Sequence, residues 1–115
     1  MIKTLSLLAL LLASSSVNAA PRRPGVRLEV LREHATRATV LVANPGSRRA
    51  PFYVAAYDAE GGRLEGVKVS HSTFSLSSNR YRKVRFENLP PTPLMLCATV
   101  VTSPSLSLRS CVFKQ

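Results

Sequence analysis

The chain has 115 residues, and 16 lysines and arginines against 6 acidic residues give it a formal net charge of +10. One domain is expected at this length, burying only around 60 to 65% of its unfolded surface, so an additional constraint would help it. His34 and His71 lie in different segments, Asp58 precedes a turn, and no phosphate-binding or nucleophile motif is present. We therefore predict a non-enzyme with no metal and no cofactor.

The N-terminal segment has the features of a secretory signal peptide. Lys3 precedes a largely apolar run over residues 5–13, and the small residues of Val17-Asn18-Ala19 fit the cleavage rule. We predict a signal peptide over residues 1–19 and a mature domain over residues 20–115, in the periplasm or secreted. The run is far shorter than the roughly 20 apolar residues of a membrane-spanning helix, so no membrane span is expected.

The mature segment predicts an all-β sandwich of seven or eight antiparallel strands. Helical spacing is almost absent, while short alternating runs rich in Val, Thr, Phe and Tyr recur between clusters of Pro, Gly, Asn and Ser. In chain order the strands are expected in VRLEVL, RATVLVAN, PFYVAAYDA, GVKVSHSTFSL and NRYRKVRFENL and in a closing hairpin. In the first segment, alternation directs Val26, Leu28 and Val30 towards the core and Arg27 away from it.

The closing hairpin contains both cysteines of the chain. A turn at Ser103-Pro104-Ser105 places Cys97 directly opposite Cys111. Export to an oxidising compartment favours a disulfide between them over two buried free thiols. The disulfide would lie outside the core and fix the register of the two strands. The predicted core face of the hairpin comprises Leu94, Leu96, Ala98, Val100, Leu106, Leu108 and Val112.

The segment NRYRKVRF is strongly basic. Alternation places Tyr81, Lys83 and Arg85 on the face opposite to Val84 and Phe86. A solvated surface is the ordinary interpretation of such a face, and no recognised nucleic-acid module accompanies it, so no specific nucleic-acid partner is predicted. The alternative is that these residues bind an anionic surface polymer, such as lipopolysaccharide or nucleic acid, by charge.

The order of these features resembles the N-terminal immunoglobulin-like domain of the PapD-like periplasmic pilus chaperones. An early strand carries an arginine in VRLEV, the next strand ends at an asparagine in ATVLVAN, TFSL precedes KVRF, and Leu89-Pro90 leads into the penultimate strand. One branch of that family bridges its last two strands with a disulfide, as Cys97 and Cys111 would here. The resemblance implies an immunoglobulin-like β-sandwich that is a truncated, single-domain version of a two-domain protein.

The resemblance also implies a partner and the residues that bind it. In these chaperones an arginine on the first strand and a lysine on the last strand hold the C-terminal carboxylate of a pilus subunit. Arg27 matches the arginine, and Lys114 or, in its place, Arg109 matches the lysine. The implied function is binding of a secreted or pilus subunit by strand addition. The alternative function is charge-based binding of an anionic polymer.

Overall fold

Strands form all the regular structure in residues 24–115, the part of the chain that a computed structural model describes. The predicted signal peptide over residues 1–19 and its cleavage site lie outside these residues. The strands are β1 (Arg27–Glu33), β2 (Ala38–Ala43), β3 (Ala50–Asp58), β4 (Lys68–Val69), β5 (Thr73–Leu76), β6 (Tyr81–Glu87), β7 (Leu94–Ser103) and β8 (Leu106–Lys114). Between residues 24 and 115, no helix is long and apolar enough to cross a membrane.

The strands form two four-stranded antiparallel sheets that share one core. Sheet A has the strand order β1-β2-β6-β4, and sheet B has the order β5-β3-β7-β8. Alternate side chains of both sheets point inward, as the period of two residues in the sequence predicts. The largest fully buried side chains are Val40, Val42, Val84 and Phe86 from sheet A, and Phe52, Leu94, Leu96 and Val100 from sheet B. The predicted all-β sandwich is therefore confirmed.

β1 is an edge strand of sheet A and is only partly embedded. Val26 and Leu28 pack against the core, whereas Val30, which was predicted to face the core, is 37% exposed. The pairing of β1 with β2 shifts in register between Val30 and Arg32, so that Leu31 is an extra residue in the strand. Such a bulge bends an edge strand and loosens its inward packing.

The β7–β8 hairpin has the predicted register around the cysteines, with Cys97 opposite Cys111. The pairing shifts by one residue between Val101 and Ser103, next to the turn. Thr102 is the extra residue, and it belongs to β7. The prediction that Leu106 belongs to the core was wrong, because Leu106 begins β8 directly after the turn, opposite Ser103, and its side chain is 52% exposed.

β2 is followed by Asn44, whose buried side chain connects both sheets. Its Nδ2 donates to the carbonyl oxygens of Arg48 (2.8 Å) and Leu76 (2.9 Å). Its Oδ1 accepts a hydrogen bond from the backbone N–H of Gly46 (2.9 Å). One amide group thereby fixes the turn after β2 and ties it to the end of β5 in the opposite sheet.

Candidate functional site

The outer edge of β8 is the open edge of sheet B, since β8 is the last strand in the sheet order. In antiparallel pairs, opposite Cα atoms lie about 4.5 Å apart when the residues exchange no hydrogen bonds and about 5.5 Å apart when they do. The Cα atoms of Cys97 and Cys111 are 4.1 Å apart, which indicates a pair that exchanges none. The backbone N–H and C=O groups of Cys111, and by alternation those of Arg109 and Phe113, therefore point to the open edge.

The side chains of β8 alternate in a way that suits an edge strand able to accept a further strand. Leu108 and Val112 point inward and are only partly buried against the core. Phe113 points outward and is 68% exposed. A strand added to this edge would pair with the outward backbone groups and cover the inward apolar side chains, which β8 leaves only partly buried.

The Cys97–Cys111 disulfide is formed and lies on the outer face of sheet B, as predicted. Cys97 is nevertheless only 2% exposed. On the same face of the sheet, Arg109 Nε donates to Thr99 Oγ1 (3.3 Å), and the guanidinium carbon lies 5.0 Å from the centre of the Tyr57 ring. Thr99 and Tyr57 lie on opposite sides of Cys97 in the sheet. Arg109 therefore has an aromatic partner within the domain.

Lys114, at the end of β8, is buried, with 5% of its surface exposed. It pairs with Leu94, which belongs to the core, so its side chain points inward. Its Nζ donates to the carbonyl oxygen of Ala35 in the β1–β2 turn (3.0 Å). Lys114 thereby closes this end of the sandwich.

Arg27 is exposed on the outer face of sheet A, where it pairs with Ala43. It lies at the opposite end of β1 from Ala35, and seven residues of strand span roughly 20 Å. The structure therefore does not bring Arg27 and Lys114 together. Arg109 lies on the outer face of the other sheet, so the three basic residues occupy three separate surfaces.

The predicted basic face on β6 is present and exposed. Tyr81, Lys83 and Arg85 point outward from sheet A, while Val84 and Phe86 are buried. Sequence analysis missed Arg32. Thr39 of β2 pairs with Arg32 of β1 on one side and with Arg85 of β6 on the other, so the two arginines lie on either side of it. These arginines are far apart in the chain, and only the pairing of β1 and β6 with β2 reveals that they are close in the sheet.

The side chains considered for catalysis or metal binding have local structural contacts. The Asp58 carboxylate accepts hydrogen bonds from the backbone N–H groups of Glu60 (3.0 Å) and Gly62 (2.8 Å), which is the predicted turn role. The His71 ring contacts Ser70 Oγ at 3.1 Å. Within residues 24–115, no three His, Cys, Asp or Glu side chains are grouped so that they could hold a metal ion.

No protein-family model and no curated protein sequence matches the chain. Among solved structures, it is similar to a chain of the complex between the Salmonella enterica SafA pilin and the SafB chaperone, with a TM-score of 0.66 and 19% identity over 82% of this chain. The Escherichia coli chaperone DraB gives a TM-score of 0.66 and 15% identity over 80% of this chain. The periplasmic chaperone SfaE gives 0.61 and 14% over 77%. The chain has the fold of a pilus-chaperone domain.

The similarity covers 54% of each of these three structures, so the chain spans about half the length of the chains it matches. The predicted resemblance to the immunoglobulin-like domain of the PapD-like chaperones is confirmed at the level of the fold. At identities between 14 and 19%, the structural similarity shows the fold alone and assigns no binding residue to this chain.

Proposed function

We propose that this protein is an exported, non-catalytic, chaperone-like protein that binds a secreted or pilus subunit by strand addition to the outer edge of β8. The observation that carries the proposal is the geometry of that edge. β8 is nine residues long, its outward backbone groups face the open edge of sheet B, and its inward apolar side chains are only partly buried. Backbone pairing of an extended segment supplies affinity in such complexes, and the alternating side chains supply specificity.

The fold supports this choice of function over a purely structural role. One of the similar solved structures is a complex of a pilin with its chaperone. The disulfide fixes β8 to β7 and so holds the edge strand in one register while a partner strand pairs with it. An edge with a fixed register presents the same set of side chains to every partner molecule.

The proposal is tested by removing one outward backbone N–H from β8. The protein would be co-expressed with secreted subunits encoded beside its gene, and recovery of the soluble complex would be measured. Arg109→Pro deletes the N–H that points to the open edge, and we expect it to lower recovery by about tenfold. Arg109→Ala removes the same side chain but keeps the N–H, so it should retain most of the complex.

Two further measurements distinguish strand addition from a loss of stability and from attraction between charges. Phe113→Pro removes another outward N–H nearer to the end of the strand, and it serves as the test if Arg109→Pro lowers the melting temperature. The complex should also persist between about 0.1 and 1 M salt, where contacts between exposed charges are screened. Equal recovery of the complex with the alanine and both proline variants would refute strand addition at β8.

The basic residues implied by the resemblance enter this proposal separately, because they do not form one site. Arg109 is on the proposed edge strand itself. Arg27→Ala tests whether Arg27 binds a carboxylate of the partner, with the exposed Arg63→Ala as the control of equal charge change. A carboxylate anchor predicts weaker capture for Arg27→Ala alone, with a nearly unchanged melting temperature, because exposed pairs are usually worth under about 1 kcal/mol. Equal effects of the two changes would remove Arg27 from the site.

A further inference from the structure

A basic depression, defined by Arg32, His34, Arg37, Thr39 and Arg85, lies on the outer face of sheet A beside the β1–β2 turn. Its volume is about 240 Å³, and Ala38, Phe86 and Glu87 complete its lining. A water molecule takes up about 30 Å³ in the liquid, so the depression has room for a small polyatomic ion.

Strand pairing fixes the positions of the arginines in the basic depression. Thr39 pairs with Arg32 on one side and with Arg85 on the other. Neighbouring strands are about 4.8 Å apart, which places the backbones of the two arginines roughly 10 Å from each other. The β1–β2 turn is closed by a hydrogen bond from the backbone N–H of His34 to the carbonyl oxygen of Arg37 (2.8 Å), which brings Arg37 to the same depression.

Positive residues outnumber negative residues in the lining of the basic depression. Three arginines, Arg32, Arg37 and Arg85, line it. Glu87 is the one carboxylate among the lining residues, and it also has Lys68 as its cross-strand neighbour. Mutual repulsion of three cations around one concave surface is relieved when an anion lies between them.

We propose that the basic depression binds a phosphate group, carried as a monoester or diester by an envelope polymer or a lipid headgroup. A carboxylate needs only one guanidinium group, which binds both of its oxygens by two parallel hydrogen bonds. The arginines here come from β1, the β1–β2 turn and β6, and a tetrahedral phosphate has oxygens that can face all of them. The depression lies on the outer face of sheet A, whereas the proposed strand-addition edge belongs to sheet B, and the two surfaces approach each other at the β1–β2 turn, where Lys114 of β8 donates to Ala35.

The test is an NMR titration of the ¹⁵N-labelled protein with inorganic phosphate, with chloride at matched ionic strength as the reference. We expect saturable shifts of the backbone amides of residues 32–39 and 85–87. Arg37→Gln and Arg85→Gln should each weaken binding by about tenfold, the typical effect of losing one hydrogen bond between charged groups. The control is Arg63→Gln, which removes the same charge beside Tyr57 in sheet B and should leave the affinity unchanged.

Vesicle binding distinguishes the sources of the phosphate. Retention on phosphatidylglycerol vesicles but not on phosphatidylcholine vesicles, lost in Arg85→Gln, would assign the group to a lipid headgroup. Phosphate binding without vesicle retention would assign it to a soluble or polymer-borne phosphate. Shifts that do not saturate, or an equal loss of affinity in Arg63→Gln, would show that only net charge attracts the anion and would overturn the proposal.

Discussion

Replacing Asn44 with alanine should destabilise the domain far more than the loss of one loop side chain would suggest. The change leaves the carbonyl oxygens of Leu76 and Arg48 and the N–H of Gly46 without the partner that Asn44 provides. An unsatisfied buried polar group costs about 1–3 kcal/mol, and the Arg48 carbonyl, which is only partly buried, regains water at a smaller cost. We therefore expect a loss of about 2–5 kcal/mol from a total that is typically about 5–15 kcal/mol.

The assay is urea unfolding followed by circular dichroism, with the disulfide intact. Asn44→Asp sharpens the test because a carboxylate accepts from the Gly46 N–H but cannot donate to the two carbonyl oxygens, so it should also destabilise strongly. Arg49→Ala is the control, since it removes an exposed hydrogen bond to Ser77 Oγ nearby and should stay within about 0.5 kcal/mol of wild type. A loss under about 1 kcal/mol for Asn44→Ala would refute the assigned role.

Two further stability predictions use the same unfolding measurement. Reducing the disulfide, which joins cysteines 14 residues apart, should lower the unfolding free energy by about 3 kcal/mol in the chain-entropy model, and equal stability with and without reductant would contradict this. Phe86→Ala should cost about 3–5 kcal/mol because the ring is fully buried. Phe113→Ala, at a position that is 68% exposed, should change stability by about 0.5 kcal/mol or less, and similar losses for the two phenylalanines would mean that burial does not decide the cost.

Alternation along the strands was sufficient to predict most of the fold, because the side-chain period of two residues is a property of any strand. In β6 it separated the buried Val84 and Phe86 from the exposed Lys83 and Arg85. It failed at Leu106, which begins β8 directly after the turn and is 52% exposed, because alternation does not show where a hairpin extends beyond the core. Asn44, which follows β2, is visible in the sequence as part of the resemblance to pilus chaperones, whereas the two hydrogen bonds that its amide donates and the one that it accepts required coordinates.

The candidate sites were less predictable because they depend on which strands are neighbours. Tyr81, Lys83 and Arg85 were assigned to one face from their spacing alone, and the structure bears out that placement. Arg32 joins Arg85 only through β2, which lies between β1 and β6 in sheet A. Burial of Cys97, which faces outward and is 2% exposed, was also unforeseen.

The position of Lys114 bears on how a partner would be held. The lysine is 5% exposed, and one of its three N–H donors goes to the carbonyl oxygen of Ala35, so a partner carboxylate would have to lose its hydration to reach the other two. That loss of hydration offsets much of the attraction between the two charges. Backbone pairing along β8 displaces water from the outward N–H and C=O groups at the open edge and buries no charge. The strand edge, rather than a carboxylate contact at Lys114, should therefore supply most of the affinity for a subunit.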